Sequence, residues 1–260
     1  MNPTTSMKDW LPLPPDYSVH GPRVDHLIWV THYLMAALFI GWGIYFIYVL
    51  IKFRKRTGHT ARYEQAKGKI AKYVEYGVIL AEAILLIGLS MPVWASWKNP
   101  PVDDKTALRV HVVAEQFAWN FHYPGPDGIF GKTDPQYVNN TGNSLGLDPN
   151  DPHGKDDVVM LNEFHFPVGK PVIIDLSSKD VIHSFTLNLM RVKQDAIPGM
   201  KISIWFQARE RGNGGPYDVS CAQLCGLGHF RMRGLFYIDT PEQFTKWFDD
   251  QEKQLQGGNQ

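Results

Sequence analysis

Residues 221–232 read Cys-Ala-Gln-Leu-Cys-Gly-Leu-Gly-His-Phe-Arg-Met and hold both cysteines of the 260-residue chain. Thiolate, imidazole and thioether are donors that suit copper. The spacing is Cys-x3-Cys-x3-His-x2-Met. One thiolate with His229 and Met232 would make a mononuclear copper site once a further histidine arrived from elsewhere. The second thiolate is surplus to that. Two thiolates can bridge two copper ions and delocalise an electron between them, which keeps the geometry change on electron transfer small. A Cys221–Cys225 disulfide is the rival reading outside the cytoplasm, and zinc is the rival for a Cys2His2 set. Met232 and the close cysteine spacing favour copper. The best candidate for the missing nitrogen is His183, in Asp180-Val-Ile-His183-Ser-Phe.

A ligand loop needs a scaffold that holds its geometry. Gly226 and Gly228 argue for a loop, flanked by predicted strands at 217–220 and 234–238. Further short apolar or alternating runs lie at 108–113, 116–123, 158–161, 171–176, 181–189 and 201–207, with turn-forming residues between them. This pattern predicts a β sandwich or barrel. Residues 130–157, rich in Asn, Asp, Gly and Pro, read as a long loop. A short amphipathic helix over 241–251 follows, with Phe244, Trp247 and Phe248 on one face, and then a disordered tail.

The first third is of another kind. Residues 27–51 contain no Asp, Glu, Lys or Arg, and as a helix they would cross a hydrocarbon core of about 30 Å. A second span runs over 76–97 and carries one acid, Glu82. An acid at bilayer depth costs ~2.5–3.5 kcal/mol on insertion scales, so it faces protein or water. Glu82 is thus a candidate for proton handling or for contact with a partner subunit, beside the plainer reading of a satisfied carboxyl at a helix contact. Between the spans lies a basic loop, 52–72, with Lys52, Arg54, Lys55, Arg56, Arg62, Lys67, Lys69 and Lys72. Positive loops stay on the cytoplasmic side, so both ends of the hairpin and the β domain lie outside. The divisions are then a 1–26 outer tail, a 27–98 transmembrane hairpin closed by Asn99-Pro-Pro101, a 103–250 β domain and a 251–260 tail. Equal numbers of acidic and basic residues give no reason to expect a nucleic-acid partner. No Cys-x2-Cys-His occurs, so no covalently attached haem is expected.

The motif, the upstream DVIHSF, the D-A-x-P-G at 195–199, QFAWNFHY at 116–123 and FPVGKP at 166–171 together resemble subunit II of the haem–copper cytochrome oxidases. The resemblance implies a transmembrane hairpin followed by a cupredoxin domain, a Greek-key barrel with a binuclear CuA centre. Cys221 and Cys225 would bridge two coppers, and His183 and His229 would cap one each. Met232 would complete one copper and the Gln223 carbonyl the other. The centre would accept electrons from a c-type cytochrome and pass them to haem in subunit I, where oxygen is reduced to water and protons are translocated. The chain would be one subunit of that enzyme, in a bacterial cytoplasmic membrane, with both termini and the copper domain on the periplasmic side. Glu75 would stand at a proton-path entrance and Asp195 would face subunit I. Two positions depart from the family pattern. Gln223 stands where the family has a glutamate that binds magnesium shared with subunit I, and a neutral amide brings less charge to a hard cation, which weakens the expectation of magnesium. Phe117 stands where the family's electron-accepting tryptophan would be, with Trp119 as a substitute or a core residue. A copper-delivery module and the CuA subunit of a nitrogen-oxide reductase are the alternative functions.

Overall fold

The computed structural model describes residues 13–58, 60, 68–98, 106–139 and 142–257. The expected hairpin end at Asn99-Pro-Pro101, the basic residues Arg62 and Lys67, and residues 1–12 of the expected tail lie outside these. The chain divides into two compact units, one of Arg23–Ser96 and one of Leu13–Pro22 with Trp97 onward.

Among the described residues the helical unit holds two helices, α1 (Gly21–Lys52) and α2 (Lys69–Lys98), both long and apolar enough to cross a membrane. Within the chain, none of the most apolar stretch of either helix is buried. α1 begins at Gly21, ahead of the apolar run, because Pro22 suits a first helical turn whose N–H groups have no helical partner. The Ser18 hydroxyl accepts the Gly21 N–H at 2.8 Å. α2 likewise begins at Lys69, inside the expected loop. Its middle, Ile84–Ser90, is a π-helical stretch.

Among the described residues the β unit contains ten strands. One sheet has the order β3-β2-β1-β5-β8, from Val158–Leu161, Ala118–Tyr123, Leu108–Glu115, Pro171–Ser178 and Ile202–Gln207. The other has the order β4-β10-β9-β6-β7, from Glu163–Pro167, Arg233–Asp239, Tyr217–Cys221, His183–Leu187 and Val192–Ala196. β1 runs parallel to β5, and β4 parallel to β10, so the chain crosses between sheets as a cupredoxin does. β4 and β7 are strands that the sequence reading did not separate.

Alternation explains the core. Val110, Val112 and Ala114 of β1 are fully buried while their neighbours are not. Across the interior, Phe121 stacks on Phe164 with centroids 4.9 Å apart, and Phe166 packs on Phe206 and Phe236. Burying each ring contributes about 1.5–3 kcal/mol. The long 130–157 segment is tied down by buried Asp157. Its carboxylate accepts from the N–H groups of Gly125 at 3.1 Å and Gly131 at 2.7 Å, and pairs with His122 at 2.5 Å.

α3 (Pro241–Gly257) closes the unit and continues past residue 251, where a disordered tail was expected. Gln and Lys in this stretch are good helix formers. Phe244, Trp247 and Phe248 pack on the core, as their spacing predicts. His165 lies between the rings of Tyr237 and Trp247, with one ring nitrogen on Asp239 and the other on Glu163. Residues before α1 also belong to this unit. The Tyr17 N–H donates to Leu189 O at 2.8 Å and the Val19 N–H to Gln207 O at 2.9 Å, so this part of the expected tail is an ordered edge.

Candidate metal centre

Strand pairing assembles the motif. β9 and β10 pair antiparallel, with Ser220 opposite Arg233 and Val219 opposite Gly234, so residues 222–232 form a loop held at both ends by one sheet. On the other side of β9, Cys221 lies opposite Phe185 of β6. The Ala222 N–H extends this ladder to Ser184 O at 3.0 Å. His183, the first residue of β6, therefore arrives beside the loop from a distant part of the chain.

The donor atoms converge. Cys221 Sγ and Cys225 Sγ are free thiols 3.9 Å apart. His183 Nδ1 lies 4.0 Å from Cys221 Sγ and 3.1 Å from Met232 Sδ. Cys225 Sγ lies 3.6 Å from His229 Nδ1 and 3.7 Å from Met232 Sδ. The backbone carbonyl of Gln223 turns inward, 3.2 Å from Cys221 Sγ. His183 is fully buried, Cys225 and Met232 nearly so, while His229 is half-buried at the rim. The donor atoms of His183, Cys221 and Cys225 lie within 4.8 Å of one another; Met232 adjoins His183 and Cys225, His229 adjoins Cys225, and the Gln223 carbonyl adjoins Cys221.

Asp180 completes the arrangement, and the sequence reading gave it no role. Its carboxylate accepts from His183 Nε2 at 2.8 Å, leaving Nδ1 to face the sulfurs. A ligand histidine whose other nitrogen is held by a carboxylate has its ring direction and tautomer set. The same carboxylate accepts the N–H of Gln116 at 2.7 Å and of Val181 at 2.6 Å. Gln116 in turn donates from Nε2 to Cys225 O at 2.6 Å. A carboxylate three residues before a candidate ligand histidine was the available signal.

Electrostatics favour one anion here and resist a second. Burial opposes ionisation of Cys221, but hydrogen bonding to His183, to backbone at Ser184 and Gln223, and to His229 outweighs it and lowers the thiol to about 6. Cys225 is pushed up to about 11, by burial and then by the charge of Cys221. Burial opposes protonation of His183, yet Cys221 and Asp180 hold it above its ordinary value. Paired soft donors that resist carrying two negative charges match a cation. Nitrogen and sulfur donors match copper rather than a hard ion.

The remaining candidates sit differently. Phe117 packs against the loop: a Cβ on Gly228 would lie 2.4 Å from its ring. Trp119 is fully buried, edge-on to His183 with centroids 6.1 Å apart, so it is a core residue behind the site. Asp195 lies opposite Ser184 across β6 and β7 and accepts its hydroxyl at 2.7 Å. Glu75 is on α2, in the helical unit. His111, His122, His153 and His165 each face a carboxylate instead of a shared ligand cluster.

The family described as "Cytochrome C oxidase subunit II, periplasmic domain" matches residues 108–236. The alternative cytochrome c oxidase subunit 2 of Bradyrhizobium diazoefficiens is 30% identical over 244 residues, spanning 94% of this chain and 84% of that protein. Cytochrome c oxidase subunit 2 of Thermostichus vulcanus is 36% identical over 150 residues, 57% of this chain and 35% of that longer protein. Among solved structures, the periplasmic domain of subunit II of cytochrome oxidase (CoxB) of Bradyrhizobium japonicum is similar at 27% identity. It has a TM-score of 0.42 and covers 60% of this chain and 98% of that one.

Proposed function

The chain belongs to the cytochrome c oxidase subunit II family, and on that premise we propose that it holds two copper ions as a CuA centre. It is the electron-transfer subunit of a haem–copper oxidase complex, membrane-anchored, with its β domain on the outer side. Cys221 and Cys225 would bridge the coppers, His183 and His229 would cap them, and Met232 and the Gln223 carbonyl would complete the set. One observation carries this reading: two thiols, two imidazoles and a thioether from two separate chain segments meet with neighbouring donor atoms 3.1–4.0 Å apart.

Bound there, the copper pair supplies reversible one-electron chemistry. The protein's residues do the positioning. Asp180 aims the buried His183, and the β9–β10 ladder fixes both ends of the loop. Burial of Cys225 and Met232 keeps water from the sulfurs. Phe117, packed on the loop, is the position at which electrons from a c-type cytochrome arrive, and Trp119 backs His183 from the core. Asp195 faces the haem-bearing subunit I. Gln223 offers a neutral amide where a magnesium site would need charge, so magnesium is not proposed. The anchor is a hairpin over 27–98 in a bacterial cytoplasmic membrane, its basic loop inside and both termini outside. Glu75, near the inner end of α2, marks a proton-path entrance into subunit I.

Electron paramagnetic resonance of the copper-loaded chain tests the centre. Hyperfine splitting by two equivalent copper nuclei is expected, and Cys221→Ser abolishes it. Splitting by a single nucleus, or survival of the two-nucleus pattern in Cys221→Ser, overturns the ligand assignment.

A further inference from the structure

Glu82 is the one acidic residue between Tyr76 and Trp97 of α2. It is exposed at the lip of a shallow groove of about 180 Å³ between the helices. The other groove residues are Leu34 and Leu38 of α1 and Val74, Gly77, Val78 and Ala81 of α2, all apolar. Among the described residues nothing in this chain pairs with the carboxyl. A carboxyl at membrane depth persists when protein or a water-filled path covers it, so Glu82 marks the face that another subunit covers.

Two further features give that face a direction. Glu75 and Glu82 are seven residues apart, two turns of helix, so they share one stripe about 10 Å apart along the axis. Glu75 is the one nearer the basic loop. Two residues beyond Glu82 the helix loosens into the π-helical stretch Ile84–Ser90, a rare geometry that is frequent at functional sites. A stripe of two carboxyls rising from the inner side, ending where the helix changes form, is suited to moving a proton inward along the helix.

We propose that Glu82 is a second proton-carrying carboxyl, deeper than Glu75, that delivers protons into the haem-bearing subunit. This rests on the oxidase reading and on Glu75 as the inner-side entrance. The Glu82 carboxylate takes one proton arriving from the Glu75 side. It then releases that proton to an oxygen or nitrogen acceptor on the covering helix of the haem-bearing subunit and returns to carboxylate. No electron moves in this step. Oxygen reduction consumes the proton.

The test uses the assembled oxidase in membranes, with Glu82→Gln, Glu82→Asp and Glu75→Gln. Two rates are read: reduction of the copper centre by a photochemical one-electron donor, and steady-state oxygen consumption with ascorbate and a mediator. Glu82→Gln is expected to leave the first rate unchanged and to slow the second by roughly 10²-fold, the lower end of what a positioned proton-transfer group contributes. Glu82→Asp restores most of it. Full turnover in Glu82→Gln overturns the proposal. So does loss of the haem-bearing subunit from Glu82→Gln with full turnover in the complexes that remain, which makes Glu82 a docking contact only. Slow Glu75→Gln with normal Glu82→Gln leaves the entrance standing and removes Glu82, whereas normal Glu75→Gln with slow Glu82→Gln overturns the relay from Glu75 to Glu82. Should the variants not assemble, carbodiimide modification of the unaltered complex, mapped to Glu82 by peptide mass, must slow oxygen consumption. Full activity with Glu82 modified refutes the relay.

Discussion

Removing the Asp180 carboxylate is the most informative perturbation of the metal centre, because it leaves every proposed ligand in place. In Asp180→Ala, His183 loses the acceptor at 2.8 Å that holds Nε2, and the N–H groups of Gln116 and Val181 lose theirs. His183 is fully buried, so the protein offers its ring nitrogen little water in exchange. Loss of a partner that orients a ligand histidine typically weakens metal binding 10–100-fold, or about 1.4–2.8 kcal/mol. Apart from metal, a hydrogen bond to a charged group contributes about 1.5–3 kcal/mol, and the fold should lose a comparable amount. The pH dependence has a definite sign. Burial works against it, but His183 and the two backbone N–H groups hold the Asp180 pKa below its ordinary value. Its contribution is therefore present above the unfolded carboxylate pKa and is lost as pH falls through the lower folded value. Competition for copper against a chelator, with thermal melts of copper-free protein at neutral and acid pH, measures both effects. Asp180→Asn keeps an acceptor without the charge and should fall between. Copper affinity of Asp180→Ala within twofold of the unaltered chain would show that His183 is positioned by the sheet alone.

Two further outcomes follow from the loop and its thiols. Gly228→Ala places a methyl 2.4 Å from the Phe117 ring, so about 1–3 kcal/mol of stability should be lost to overpacking; Phe117→Ala in the same chain should recover most of it, and a melt of Gly228→Ala unchanged from the original refutes the contact. In copper-free protein, alkylation of Cys221 should rise with an apparent pKa of about 6 while Cys225 resists until much higher pH. The stability that Cys221 contributes is then complete above the unfolded thiol pKa of about 8.5 and disappears as pH falls through about 6; parallel titration of both thiols, followed by mass spectrometry, contradicts this.

The sequence by itself determined two helices long and apolar enough to cross a membrane, because runs of twenty or so residues with at most one charge are legible from composition alone. It also determined the donor loop, because Cys, His and Met within twelve residues leave few other chemistries. The face of α3 followed from the spacing of Phe244, Trp247 and Phe248. These are local properties, carried by composition and period. β4 and β7 were not legible as separate strands. β7, Val-Lys-Gln-Asp-Ala, has little apolar alternation and owes its strand to pairing with β6. β4 owes its place to parallel pairing with β10, far along the chain. The site divides the same way. Which residues could bind a metal was readable, whereas the partnership of His183 with Asp180, and the turn of the Gln223 carbonyl toward Cys221, were not. Those depend on the register of β6 against β9 and on the path of the loop between β9 and β10. A chain of residue types does not carry these relations, since hydrogen bonding between distant strands sets them only when both sheets are formed.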